Sequence, residues 1–263
     1  MANLLERYGI KEVADVTFYE IGKEGNPTHP VLYLDTLKVS TIEQTAEEAE
    51  ARGGKGNPPL IIWDYGKEIT VTLEDALFSA KSMAIMFGNG TVDAYTGSIM
   101  KTLQFVGNNK PENWEGPDGK THKIPDNAKV FDTEGKIVDS YVANTPYFIS
   151  FDVQTTDAGV IEISANSFPG TYYVTGDTYA RSEVTGKDEF FQFIIGKAKV
   201  QSENTITMEA DGDPSVFNMS LRVMRPADGK MMKLVKYNVE GGVANESDAV
   251  IFKAADLTGV VEG

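Results

Sequence analysis

A recurring alternation of apolar and polar residues over strand-length runs constrains the fold more than any other feature of this chain. Val13–Ile21 and Val31–Val39 show it first, on either side of the turn-forming stretch Gly22–Pro27. A period of two places the apolar side chains on one face of a half-buried strand. The pattern therefore predicts two β-strands near the start of the chain.

Similar runs predict strands along most of the remaining sequence. The proposed strands are Leu60–Tyr65, Glu68–Leu73, Ala94–Val106, Lys129–Asp132, Ile137–Asp139, Tyr147–Gln154, Val160–Ser164, Gly170–Tyr179, Phe190–Lys199, Thr205–Ala210, Val216–Arg225 and Lys230–Val239. Turn-forming residues lie at Gly66-Lys67, Thr155–Gly159 and Pro226–Gly229, so each of these stretches is expected to join its two neighbours in a hairpin.

One segment, Glu74–Phe87, has apolar residues at helical spacing. Glu74 and Asp75 would lie in its first turn, where they suit the helix dipole, and Gly88 follows as a stop signal. The prediction is a mainly β (α+β) fold, an antiparallel β-sandwich or barrel with one flanking helix at about 74–87. A single domain is expected over residues 1–263, because all-β folds often reach this length as one unit.

Two long polar stretches are expected to be loops, at about 41–59 and 107–127. The first has an acidic, alanine-rich middle and ends in the glycine- and proline-rich run Gly53–Pro59. It is too polar for a core and long for a simple connection, so it is either mobile or ordered by a neighbouring molecule. The second is a surface loop or a small insertion.

The residues that catalysis and metal binding need are scarce. The chain has no cysteine and only two histidines, His29 and His122, both beside turn formers and expected in exposed loops. Cysteine zinc sites and disulfides are thereby excluded. The acidic run from Asp211 lacks the spacing of a calcium loop, and Gly53–Gly56 lacks that of a phosphate-binding loop. We therefore expect no catalytic, cofactor-binding or metal-binding residues, and no enzyme.

The net charge and hydropathy of the chain limit the kinds of partner that it is expected to bind. The chain carries 24 lysines and arginines against 39 acidic residues, a net charge of −15. Such a surface repels nucleic acid, because tight binding of nucleic acid needs cationic side chains that displace counterions from the phosphates. The sequence has no apolar run long enough for a membrane helix and no secretory signal, so neither membrane insertion nor export is expected.

Two parts of the sequence carry a family resemblance, at about 40–90 and 145–240. The residues concerned are Gly54–Ile69, Phe168–Tyr179, Glu189–Ile195, Lys197–Val200 and Thr205–Phe217. In their residues and in the order of the segments, they resemble virion structural proteins of tailed bacteriophages, and most of all a major tail tube protein.

The resemblance implies a β subunit that closes rings, six copies to a ring, through continuous sheet. The rings would stack into a hollow tube through which DNA passes transiently and without sequence specificity. It also implies a homo-oligomer that contacts other tail proteins, lies in the virion tail and is assembled in the host cytoplasm. Closure of the ring would remove exposed strand edges, and a separate end-on contact would stack the rings.

Candidate residues follow from this reading. The subunit-contact candidates are Glu47, Glu48, Glu50, Arg52, Lys55 and Asn57. The candidates for the lumen are Asp64, Lys67 and Glu68, in the hairpin expected at Leu60–Leu73. The longer hairpin expected at Val216–Val239 is basic, and cations in the bore would attract phosphates, so we favour the first hairpin.

Three alternatives stay open at this stage. The chain could be another virion part, such as a sheath, baseplate or decoration protein. It could be a carbohydrate-binding β module, although only Trp63 and Trp114 are available as tryptophan platforms. A glycosidase with a carboxylate pair is the third alternative, but no particular pair stands out.

Overall fold

A computed structural model describes residues 7–88, 90–203, 206 and 216–237 of the chain. Within them the strands are β1 (Tyr8–Ile10), β2 (Asp15–Ile21), β3 (Pro27–Leu34), β4 (Leu37–Arg52), β5 (Pro59–Asp75), β6 (Asp93–Val106), β7 (Asn113–Glu115), β8 (Thr121–Lys123), β9 (Lys129–Phe131), β10 (Pro146–Val160), β11 (Thr171–Ser182), β12 (Asp188–Val200), β13 (Phe217–Val223) and β14 (Lys233–Tyr237). The helix α1 spans Ala80–Phe87. The strand expected at Thr205–Ala210 and the acidic run from Asp211 lie outside the described residues.

Contacts divide the chain into two compact units. The first unit combines residues 1–92 with 161–263, and the second is Asp93–Val160. The first holds a nine-stranded sheet in the order β3-β2-β11-β12-β13-β5-β4, with β1 also pairing β11 and β14 also pairing β12. The second holds the three-stranded sheet β6-β10-β9 and the two-stranded sheet β7-β8. The mainly β, antiparallel fold with one helix is confirmed for the described residues, and the single domain over 1–263 stays a prediction.

Alternating residues of the central strands form the core of the first unit. Val174 of β11, Ile195 of β12, Leu221 of β13 and Val71 of β5 are fully buried. Each such side chain contributes about 1.5–3 kcal/mol by leaving water. The second unit has a separate core around Ile149.

The helix is shorter than the sequence pattern predicts. β5 continues through Glu74 to Asp75, so the expected start at residue 74 is wrong. Asp75 is buried and accepts hydrogen bonds from Thr36 Oγ1 (2.5 Å) and the Leu77 backbone N–H (3.2 Å), so its carboxylate ends the strand instead of opening the helix. The helix begins after Ser79, whose hydroxyl accepts from the Ser82 N–H in a reciprocal capping box.

Two of the expected hairpins are continuous strands instead. β5 passes through Gly66-Lys67, and β10 passes through Thr155–Gly159. Both sites carry a change of register, between Thr45 and Glu47 on the partner of β5 and between Thr155 and Ala158 in β10. The residues that favour tight turns also favour β-bulges, which explains both errors.

The expected hairpin of Val216–Arg225 with Lys230–Val239 is also wrong. β13 and β14 lie one after the other along the same edge of β12, paired at Ala198–Val200 and Phe190–Ile194 respectively. The turn at Pro226 does form, because the Gly229 N–H donates to the Pro226 carbonyl (3.0 Å). It closes an excursion between two collinear strands and does not join two paired ones.

The loop expected at about 41–59 is strand over most of its length. β4 runs to Arg52 with its side chains almost all exposed, and only residues 53–58 form a turn. Low burial, not lack of backbone pairing, accounts for its polar composition. The loop expected at 107–127 contains the small β7–β8 hairpin, and both histidines lie on strands, His29 in β3 and His122 in β8.

Gly176, in the middle of β11, leaves room for an aromatic ring. It lies opposite Phe193 of β12, and a Cβ added to Gly176 would stand 2.1 Å from that ring. Phe193 is buried, so its ring has little space to move away.

Gly176→Ala should therefore lower the free energy of unfolding by about 1–3 kcal/mol through overpacking, measured by urea denaturation. Combining it with Phe193→Leu should cost less than the sum of the two single changes, since the smaller side chain relieves the clash. Gly9→Ala in β1 is the matched control, because its Cβ would meet open space. Strict additivity of the two changes would contradict this account of the packing.

Candidate assembly surface

The β4–β5 hairpin extends far beyond the core. Ile69, Val71 and Leu73 of β5 are buried, whereas from Glu68 back to Pro59 every residue of β5 is exposed. Its pairing partner β4 is exposed over the same length apart from the partly buried Ala51. We call residues 45–68 the arm. It is a two-stranded ribbon held by its own backbone pairing.

A β-bulge marks the point where the arm leaves the sheet. Thr45 pairs with Glu68 and Glu47 with Tyr65, so β5 has one more residue than β4 between these pairs. Gly66 lies there with φ +64°, a backbone conformation that side chains rarely adopt. A bulge bends the strand and increases its local twist, so this glycine sets the direction of the arm.

The end of the arm is a tight glycine-rich turn. The Gly53 N–H donates to the Pro58 carbonyl (3.3 Å), and the Asn57 N–H donates to the Gly54 carbonyl (3.2 Å). Gly54, Gly56 and Asn57 all have positive φ. The run that resembles a phosphate-binding loop in composition therefore serves to reverse the chain.

One face of the arm is aromatic and aliphatic. Trp63 lies opposite Ala49, Ile61 opposite Ala51, and Tyr65 beside them opposite Glu47. The alanines are too small to cover the larger side chains, and about half of each of Trp63 (53%), Ile61 (52%) and Tyr65 (53%) is exposed. Such a contiguous exposed apolar patch is typical of a protein contact site. We call it the Trp63 face.

The opposite face of the arm is acidic. Glu48 lies directly opposite Asp64, and Glu50 lies opposite Ile62. Like charges directly opposite each other on paired strands are unfavourable. Within the arm, Arg52 Nε pairs with Glu50 (2.5 Å). This carboxylate face would gain from cations supplied by another molecule.

The structure brings the sequence-derived candidates together on the arm. The contact candidates Glu47, Glu48, Glu50 and Arg52 lie on β4, Lys55 and Asn57 lie in the turn, and the lumen candidates Asp64, Lys67 and Glu68 lie on β5. Glu68 forms an ion pair with Arg222 of β13 at the base of the arm. Sequence reasoning missed the Trp63 face, because an apolar run in a strand indicates burial.

The carboxylates Asp118 and Asp188, whose pKa values are lowered, lie in ordinary surface pairs. Arg181 donates to both carboxylate oxygens of Asp188 (2.6 and 2.7 Å), which lowers the pKa of Asp188. His122 Nε2 lies 3.1 Å from Asp118 Oδ1, and this hydrogen bond lowers the pKa of Asp118. Among the described residues, no group of three or more histidine, aspartate or glutamate side chains could hold a metal ion.

The second tryptophan is not available as a flat binding platform. Trp114 stacks on His122 with ring centroids 4.8 Å apart, and the Lys101 ammonium lies 4.1 Å from the centroid of the Trp114 ring. These contacts occupy the indole within the second unit, where it also packs against the core. This leaves Trp63 as the better exposed of the two tryptophans.

In the described part of the chain, no helix has the length and apolar character that crossing a bilayer requires.

Comparison with protein-family models identifies the family of this chain. No curated protein matches the chain by sequence. The sequence model of the YomU/Tube protein family matches residues 8–236, which is most of the chain and includes the arm. The expected likeness to tail tube proteins is thereby confirmed: this chain belongs to the YomU/Tube protein family, a family of phage-derived tube proteins.

Proposed function

We propose that the chain is the structural subunit of a phage tail tube, without catalytic activity. Copies close into rings, six to a ring, and the rings stack into a hollow tube through which DNA passes. The tube contacts other tail proteins, lies in the virion tail and is assembled in the host cytoplasm. The observation that carries this proposal is the arm, whose exposed apolar face has no covering partner among the described residues.

The low stability of an isolated two-stranded ribbon favours a partner that packs against the arm. A two-stranded hairpin is at best marginally stable in water without a third strand or a packed face. Beyond Ile69 the arm has no third strand and no packed face within the described residues. It is nevertheless as long as the part of the β4–β5 hairpin that lies in the large sheet. Packing of the Trp63 face against a second copy supplies the missing burial.

The edges of the large sheet differ in their capacity to pair with another copy. β3 forms one edge and contains Pro27 and Pro30, which have no backbone N–H to donate. β4 forms the other edge, and among the described strands it pairs only with β5. Its outer side offers 16 residues of backbone for continuing a sheet into a neighbour.

The proposal gives the two strands of the arm different roles. In this proposal the candidates on β4 and in the turn, Glu47, Glu48, Glu50, Arg52, Lys55 and Asn57, contact a neighbouring subunit, and the candidates on β5, Asp64, Lys67 and Glu68, face the lumen. Two basic residues of β13 and β14 have their charge offset by carboxylates of the same chain. Arg222 pairs with Glu68, and Lys236 Nζ lies 2.8 Å from Glu189 within the chain.

Purified protein should form hollow tubes when concentrated, because the Trp63 face and the β4 edge are both exposed in the single chain. Negative-stain microscopy and light scattering at several concentrations measure this directly. A chain that stays monomeric at every concentration and salt level, even with its tail initiator complex added, would contradict the proposal.

Trp63→Ser should abolish tube formation and leave the melting temperature of the dispersed protein nearly unchanged, since Trp63 is half exposed and far from the core. Trp63→Phe is the matched control, and it should still assemble because an aromatic ring remains on the Trp63 face.

A second variant removes the arm without touching the sheet. Replacing Glu48–Asp64 by Asn-Gly joins Glu47 to Tyr65, two paired residues, through a two-residue hairpin turn. This protein should fold and stay dispersed. Normal tubes from either the shortened chain or Trp63→Ser would exclude the arm as the assembly contact.

A further inference from the structure

The second unit contains another long ribbon, with two faces of different chemistry. β6 and β10 pair from Val106↔Pro146 to Asp93↔Val160, over about 45 Å at the usual rise per residue. One face packs on the core of the unit, where Ile149 and Phe151 are buried. The outer edge of β6 is unpaired among the described strands, so this ribbon can also continue into a neighbouring sheet.

The opposite face consists of four cross-strand pairs. They are Ser98↔Gln154, Met100↔Asp152, Thr102↔Ser150 and Gln104↔Phe148. Five of these eight side chains are uncharged hydroxyls or amides, and the one charged side chain is a carboxylate. We call these eight residues the hydroxyl–amide face.

The polar groups of this face bond to each other. Thr102 Oγ1 and Ser150 Oγ lie 2.8 Å apart, and Gln154 Nε2 donates to Ser98 Oγ (2.6 Å). The pairing occupies donors that would otherwise contact a passing ligand.

Charged side chains are few on this face. β6 and β10, described in full, contain one lysine between them, Lys101, and it lies on the opposite face above the Trp114 ring. Lys129 on the short strand β9 pairs with Ser150, so its exposed side chain lies on the same face and offsets the charge of Asp152. An ordinary solvent-exposed sheet face mixes charges of both signs over a quarter or more of its residues, as the β4 part of the arm does.

We infer that the hydroxyl–amide face lines the bore of the tube and is the surface past which duplex DNA moves. The inference rests on the proposed function and deepens it by naming residues of the second unit that face the DNA, in addition to the lumen candidates of the arm. Lysine and arginine bind phosphates by displacing counterions, whereas hydroxyls and amides already bonded to each other offer little grip. The DNA therefore faces a hydrated, nearly neutral surface that binds its phosphates only weakly.

Single cysteines test this placement, because the native chain has none. Ser98→Cys puts a thiol on the hydroxyl–amide face, and Ser140→Cys is the matched control in an exposed loop of the same unit. Each variant is assembled into tubes and reacted with a small maleimide or with a polyethylene-glycol maleimide of several kilodaltons. The same reactions on dispersed protein give the reference rates.

In tubes, Ser98→Cys should react with the small reagent, while the polymer reagent should be slower than on dispersed protein by an order of magnitude or more. Ser140→Cys should react with both reagents. Unhindered polymer labelling of Ser98→Cys in tubes would place the face outside, and loss of small-reagent labelling would place it in a subunit contact. Either result would overturn this inference without contradicting the proposal that the chain forms a tube. A wild-type chain that forms no tubes would contradict the proposed function itself.

Discussion

Backbone pairing between β4 and β5 holds together the most extended feature of the chain. Near the core this pairing is supported by buried side chains such as Val71, but beyond Ile69 no residue of the two paired strands is buried. A ribbon of that kind is marginal in water, and about half of the Trp63 side chain stays exposed on it. We therefore propose that the arm is half of an interface whose other half is a second copy.

The fold was predictable where burial alternates along a strand, and less so where it does not. β11, with its alternating buried and half-buried residues, follows its sequence pattern closely. For each of the continuous strands β5 and β10 the sequence pattern predicts two strands joined by a turn, because glycine and aspartate occur in β-bulges as well as in turns. The collinear arrangement of β13 and β14 depends on β12, a long-range partner that no local pattern reveals.

The candidate surface was partly predictable for a similar reason. The polar, acidic composition of β4 pointed to an exposed segment that could contact a neighbour, and those residues do lie together on the arm. Trp63 was missed because apolar residues in a strand usually mark a core, and only the pairing of Trp63 with Ala49 shows that nothing within the arm covers it. Charge adds a further constraint on the proposed tube, since unpaired cations in its wall would bind DNA phosphates, and the chain pairs Arg222 and Lys236 with its own carboxylates.

Hydrogen exchange of the arm in dispersed and assembled protein tests the central claim most directly. Backbone amides of residues 45–68 should exchange fast in dispersed protein, since an exposed two-stranded ribbon opens locally at low cost, and slowly in assembled tubes. Amides of β11 at the centre of the sheet serve as the internal reference and should be protected in both states. Equal protection of the arm in the two states would contradict the view that a neighbouring subunit completes it.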